Sequence, residues 1–306
     1  MKSIIASIFI IFSTHLSAQQ VIKVKIPQKE PLTLKPHATI SFEPINECSG
    51  LVQSKIWKGV FWVHNDSEDT GLSYEARIFA IDINGNILKP KWFAQKYKGI
   101  LIPEAVNIDW EAITTDDKGN LIIGDIGNND SLRKDLALYV VPEPYPWGAV
   151  ATGIISKIVF HYPQQKKIPP DKMNFDAESL FYANGKIYLL TKHRSDPYTS
   201  LYRFDSIKPG KSNPVTYISS FDAGSMVTDA DVTADGRKLA VLTYDYIWLF
   251  EKPKKSDNYF KGKIRYLPIQ GTKRCEGIAF DGNFLIITNE ERDIFKVDVS
   301  SFIQIK

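Results

Sequence analysis

Residues 109–129 read DWEAITTDDKGNLIIGDIGNN. Two short apolar runs flank a DDKGN turn, and an acid stands at the polar end of each run. Runs this short, rich in β-branched residues and bounded by Gly and Asn, argue for paired strands instead of a helix. Asp and Asn beside Gly supply the chemistry of a tight turn. The acids need an explanation, because a carboxylate at the mouth of a buried strand must be hydrated, paired or neutralised.

The pattern recurs, so a repeat search precedes any assignment of fold. The second half, KGNLIIGD, has relatives in WKGVFWVHND, NGKIYLLTKH, DGRKLAVLTY and DGNFLIITNE. Upstream of each lies a counterpart of the first half: NECSGLV, DWEAITT, DAESLFY, DADVTAD and CEGIAFD. The acids of these segments are Glu47, Glu111, Glu178, Asp231 and Glu276. Further strand-like runs follow, among them LALYVVPEP, KIVFHYP, YIWLFEKP and KIRYLPI. Four short strands per repeat with almost no helical periodicity describe the blade of an all-β propeller. Five blades are expected; six is the alternative, because the first two intervals between acids are long enough to hold an irregular blade. The last repeat lacks an outer strand. VIKVKIP or ATISFEP, near the N-terminus, is expected to supply it and close the ring, removing exposed sheet edges.

In such a ring the first strand of each blade lines the axis and the second runs back beside it. The five acids are therefore expected at one channel mouth, as the metal-ligating set. The polar ends of the second strands join them there: Asp66, Asp125, Asn128, Lys192, His193, Arg194, Asn289 and Glu290, the expected ligand-binding residues. Adjacent carboxylates about 6 Å apart, at an effective dielectric near 20, repel by roughly 3 kcal/mol per pair. A cation, raised pKa values, basic neighbours or backbone amides accepted by the carboxylates would relieve this. Oxygen donors without CxxC, HExxH or paired histidines point to a hard ion, Ca²⁺ before Mg²⁺. Five carboxylates exceed the charge of one such ion, so Lys192, Arg194 or Arg274 is expected to neutralise some of them. The alternative is structural: a repeated acid that caps loop amides of the next blade.

The rest of the composition sets bounds. The chain has 306 residues, 43% hydrophobic and 24% charged, with formal charge +3, ordinary for a globular protein. That charge is too small and too scattered for nucleic acid. Lys2, the apolar run from Ile4 to Phe12 and a small-residue site after Ala18 have the form of a leader. Residues 1–18 are expected to be a signal peptide and 19–306 one propeller domain, periplasmic or secreted and monomeric, with no membrane span. Export permits a disulfide between Cys48 and Cys275, which flank the acids of the first and last repeats. Placed one after and one before the same register, they share a strand face, so the thiols are not expected to face each other.

Taken in order, ECSGLV, FWVHNDS, DWEAITTDDKGNLIIGDIGNN, LALYVVPEP, NFDAESLFY, VTDADVTADGRKLAVLTY and CEGIAFD resemble a family of uncharacterised secreted bacterial β-propellers. The SGL and EGIAF elements are also similar to the SdiA-regulated propellers and, more distantly, to esterase-like phytase-type propellers. The SdiA-regulated likeness implies five blades and a calcium site, touching Glu47 and Glu276. Asp231 departs from the pattern by one methylene. Two function classes follow. One is a Ca²⁺-binding module for a small-molecule, glycan or protein ligand. The other is a metal-dependent hydrolase of phosphate esters, other esters or lactones, with His193 as candidate general base. A structural role in the envelope is a third.

Overall fold

The computed structural model describes residues 21–67 and 75–305. The expected leader, residues 1–18, lies outside the described residues. Five mainly antiparallel sheets are arranged as a β-propeller, and the helix among the described residues is limited to short 3-10 turns. Their innermost strands are Cys48–Gln53 (blade I), Trp110–Thr115 (II), Asp176–Ala183 (III), Val227–Val232 (IV) and Cys275–Asp281 (V). Each is followed by an antiparallel partner: Phe61–Asn65, Asn120–Asp125, Lys186–Lys192, Lys238–Thr243 and Phe284–Asn289.

The innermost strand of blade II is buried along its whole length, with no alternation of a wet and a dry face. The reason is visible in the packing. Apolar residues collect in five layers, each between two neighbouring blades. Phe181, Tyr188 and Leu201 of blade III meet Val241, Trp248 and Phe250 of blade IV, for example. Trp62 and Ile78 of blade I meet Trp110 and Ile123 of blade II. A sheet sandwiched on both sides buries both faces, which is why its strands read as nearly continuous apolar runs.

Ring closure uses the second of the two expected segments. Ala38–Thr39 pairs antiparallel with Asp293–Asp298 as the outer strand of blade V. VIKVKIP does something else: Val21–Ile22 lies parallel to Thr216–Asp222 at the edge of blade III. Between them Leu32–Thr33 lies parallel to Lys263–Gln270 of blade IV. The N-terminal segment thus straps three blades in turn, and Tyr266 donates its hydroxyl to Pro27 O at 2.8 Å along the way. Cys48 and Cys275 are buried free thiols, and burial pushes the Cys48 thiol up to about 12. Among the described residues no helix is long and apolar enough to cross a membrane.

One irregularity recurs in every blade and sets the geometry of the channel mouth. Each innermost strand carries a β-bulge near its start, where one residue has no partner opposite it. The extra residues are Gly50, Glu111, Glu178, Thr228 and Glu276. Three are glutamates from the expected set. The other two expected acids stand three residues away: Glu47 precedes its bulge and Asp231 follows its own.

Candidate metal and ligand site at the channel mouth

A bulge residue leaves the alternation of its strand, so its side chain is free to turn toward the axis. Glu111, Glu178 and Glu276 do so and line a cavity of about 470 Å³, together with Asp66, Lys192, Arg194, Tyr244 and Glu290. All three glutamates are nearly inaccessible, at 5%, 0% and 6% exposure. Burial, first, and then neighbouring carboxylates raise the pKa of Glu111 and Glu178 well above the ordinary range.

Two arrangements relieve this charge. On the side of blades III to V, Lys192 Nζ stands 3.2 Å from Glu178 Oε2 and 3.9 Å from Glu276 Oε1. Tyr244 donates its hydroxyl to Glu276 Oε1 at 2.5 Å. Arg194 bridges Asp176 Oδ2 at 2.7 Å and Glu178 Oε1 at 3.3 Å, and also contacts Asn129. Burial opposes the charge on Lys192, but Glu178 and Glu276 outweigh it and hold the ammonium pKa well above normal.

On the side of blades I and II, among the described residues, no Lys or Arg forms an ion pair with the acids, although Lys192 and Arg133 act on Glu111 and Asp109 from farther off. Asp66 leaves the end of Phe61–Asn65, while Asp109 and Glu111 flank the start of Trp110–Thr115. One oxygen from each of Asp66, Asp109 and Glu111 lies within 4.8 Å of the other two. Oxygens sharing an ion at 2.3–2.6 Å stand at most about 5 Å apart, so this cluster has the spacing of a hard-cation site. Burial and then Asp109 push Asp66 up to about 8. The surrounding loops fix the geometry. Asn107 Nδ2 donates to Asn65 O at 3.0 Å while its Oδ1 accepts from Trp110 N, tying blade I to blade II. Gly127 leaves room for the Asp109 side chain, since a Cβ there would fall 2.3 Å from its carboxyl carbon.

The remaining expected site residues are placed elsewhere. Asp231 Oδ2 accepts the backbone N–H of Phe280 at 2.8 Å, and Asp229 Oδ2 accepts Ile278 N–H at 2.8 Å. Asp231 therefore caps amides of the next blade and does not reach the mouth; the structural alternative holds for this acid. Glu47 does not line the mouth cavity but borders a separate cleft with Glu43, Glu291 and Arg292, which meets the mouth at Glu290. Convergence of all five repeat acids on one axis is thus corrected to three, because the bulges, and not the acids, mark equivalent positions. Blade I has no glutamate at its bulge for a local reason. Gly50 has φ +61°, and a Cβ there would lie 2.6 Å from His64 Nε2.

Asp125 pairs with Arg133 at 2.8 Å and accepts Asp109 N–H. Asn128 donates its backbone N–H to Asp176 Oδ1 at 2.7 Å and its Nδ2 to Phe175 O, joining blade II to blade III. Asn289 is fully buried, its Nδ2 donating to Thr272 O. All three are bound up within the loops. Glu290 pairs with Arg274 at 3.2 Å on the rim. His193 turns away from the mouth, its ring nitrogens meeting Asp196 Oδ1 and Ser200 Oγ.

Asp109, Asp176 and Tyr244 escape the sequence expectation. A signal for the first two was present: Asp109-Trp110-Glu111 and Asp176-Ala177-Glu178 share a D-x-E spacing.

No family model matches the chain, and no curated protein matches it. Among solved structures it is similar to the hydrazine synthase of Kuenenia stuttgartiensis, at 9% identity and TM-score 0.42, over 82% of this chain and 71% of that one. A computationally designed protein, Ika8, is similar at 10% identity and TM-score 0.33, over 82% and 70% of the two chains. A chain of the mitotic checkpoint complex is similar at 11% identity and TM-score 0.41, over 92% and 99%. Likenesses this remote carry no argument about function.

Proposed function

We propose that this protein is an exported, cation-stabilised propeller that binds an anionic ligand across its channel mouth. Asp66, Asp109 and Glu111 hold a divalent ion, with Ca²⁺ favoured by an all-oxygen donor set in loop-borne, loose geometry. The observation that carries the reading is the spacing of those three carboxylates, one oxygen of each within 4.8 Å of the other two. Lys192 and Arg194, on the opposite wall, offer donors to an anionic group that reaches the ion from the other side. Export rests on the form of residues 1–18, and the calcium site agrees with the likeness to SdiA-regulated propellers. His193 gives no support to hydrolysis at this ion, because it faces another cavity.

The test is a thermal melt of the purified protein with EDTA, then with Ca²⁺, Mg²⁺ or Mn²⁺. An ion at about 100 times its Kd adds about 2.7 kcal/mol by mass action, or roughly 4–5 °C for a domain of this size. Ca²⁺ should give the largest shift. A midpoint indifferent to every ion would remove the cation from the proposal.

A further inference from the structure

The Asp196, His193 and Ser200 side chains form a second constellation, unrelated to the cation. Lys192, His193 and Arg194 follow one another at the end of a strand, and an extended chain turns successive side chains to opposite sides. Lys192 and Arg194 face the channel mouth, so His193 faces the outer part of blade III. There it lines the wall of a cavity of about 720 Å³ between blades II and III.

His193 Nδ1 lies 2.6 Å from Asp196 Oδ1, and Nε2 lies 3.2 Å from Ser200 Oγ. Asp196 is itself held by Asn174 Nδ2 at 2.9 Å and by the Tyr198 N–H at 3.1 Å. With the Nδ1 proton shared with Asp196, Nε2 is the acceptor and faces the hydroxyl of Ser200. A nucleophile within reach of a base that a third group orients is the arrangement that activates serine. Beyond Ser200 stands Ser220, Oγ to Oγ 2.8 Å, and Tyr217 OH lies 2.9 Å from Ser220 Oγ. Tyr217 can thus donate to Ser220 and Ser220 to Ser200, a chain that leaves the Ser200 proton directed at His193 Nε2. His193 and Ser200 are 6% and 4% exposed, and both border the cavity with Tyr198, Tyr202 and Phe175. Lys166, Lys167 and Lys172 stand at its rim, Lys167 paired with Asp171 at 2.5 Å and Lys172 3.9 Å from Asp196 Oδ2.

We propose that Ser200, His193 and Asp196 form a hydrolytic triad for carboxylic esters bearing an anionic group, working without the metal. Ser200 Oγ attacks the acyl carbon and its proton passes to His193 Nε2. The ester C–O bond breaks, and the departing alkoxide takes that proton and leaves as the alcohol. Water then attacks the acyl-serine, gives a proton to His193, and the carboxylic acid departs as Ser200 recovers its proton. The net change is ester plus water to acid plus alcohol. Aromatic walls suit an acyl chain, and Lys166, the rim lysine outside the two ion pairs, favours a carboxylate-bearing one.

The test incubates the full-length purified protein with a fluorophosphonate, locates the label by mass spectrometry, and measures hydrolysis of p-nitrophenyl butyrate and mono-p-nitrophenyl succinate with and without EDTA. Labelling at Ser200 is expected, lost in His193→Gln. Turnover should favour the succinate, ignore EDTA, and fall about 10²–10⁴-fold in Ser200→Ala or His193→Gln. Asp196→Asn, a positioning change, should lower kcat with KM held. Wild-type protein that neither labels at Ser200 nor turns over either ester would overturn the proposal, even if a variant failed to fold. So would turnover abolished by EDTA, or labelling that survives His193→Gln.

Discussion

The two walls of the channel mouth use the same position in the same kind of strand and arrive at opposite electrostatic states. Glu178 and Glu276 share one ammonium, a tyrosine hydroxyl and a guanidinium. Glu111, at the equivalent bulge, stands instead with Asp66 and Asp109. The difference lies in what the neighbouring second strand delivers at its end: Lys192 from blade III and Tyr244 from blade IV, but Asp66 from blade I. Register fixes where a glutamate points; the residue arriving beside it fixes whether that glutamate is paired or open to an ion from solution.

The largest effect expected from breaking this contrast is at Lys192. Lys192→Met leaves Glu178 and Glu276 buried without their ammonium, and removing one member of a buried ion cluster costs about 3–5 kcal/mol. Urea denaturation at pH 7 should show that loss, and Glu178→Gln in the same background should recover much of it. A variant as stable as the parent would mean that the wall does not depend on its lysine.

Asp231 comes next and tests the capping acids outside the mouth. Burial raises its pKa from 3.8 to about 6, against the amides it accepts. A folded-state pKa above the unfolded one means that the folded protein binds the proton more tightly. The resulting stabilisation is greatest at low pH and disappears as pH rises through about 6. The ionised carboxyl then lowers stability by about 3 kcal/mol. Asp231→Asn keeps an acceptor for Phe280 N–H without the charge. It should raise stability at pH 7 by up to about 3 kcal/mol and flatten the profile between pH 4 and 6. Denaturation midpoints across that range are the measurement.

Glu111→Gln sharpens the contrast from the acidic wall. It should abolish the Ca²⁺-dependent rise in melting midpoint while adding about 1 kcal/mol or less of stability in EDTA, because a carboxyl whose ionised form is disfavoured by burial is gone. The same change at Glu178 should leave most of the Ca²⁺ response. If both variants respond to calcium alike, the two walls are not distinct. At the rim, Arg274→Ala removes an exposed pair with Glu290 and should shift stability by no more than about 0.5 kcal/mol.

The propeller and its closure were legible because they rest on local signals. Gly turns, apolar runs such as LII and LAV, and a last repeat short of one strand all survive in a single sequence. Register at the mouth was only partly legible. Aligning repeats on their acids works for Glu111, Glu178 and Glu276, since each acid is itself the bulge. It fails by three residues at Glu47 and Asp231, where the bulges fall on Gly50 and Thr228, residues with no carboxyl to draw the eye. Only pairing with the next strand reveals an unpartnered residue. The Asp196, His193 and Ser200 group was harder still to read. His193 stands out as a histidine between Lys192 and Arg194, but the direction of its ring depends on strand alternation at a position where the strand gives way to a loop.

The strap formed by residues 21–39 has a kinetic consequence. These residues precede all five innermost strands in the chain, yet one of their partners, Asp293–Asp298, follows all five. Until that late segment exists, blade V has no fourth strand, and the ring cannot shut however well its earlier blades have formed. Assembly of the whole circle therefore waits on Asp293–Asp298, and a protein truncated before Asp293 is expected to remain an open, unlatched arc.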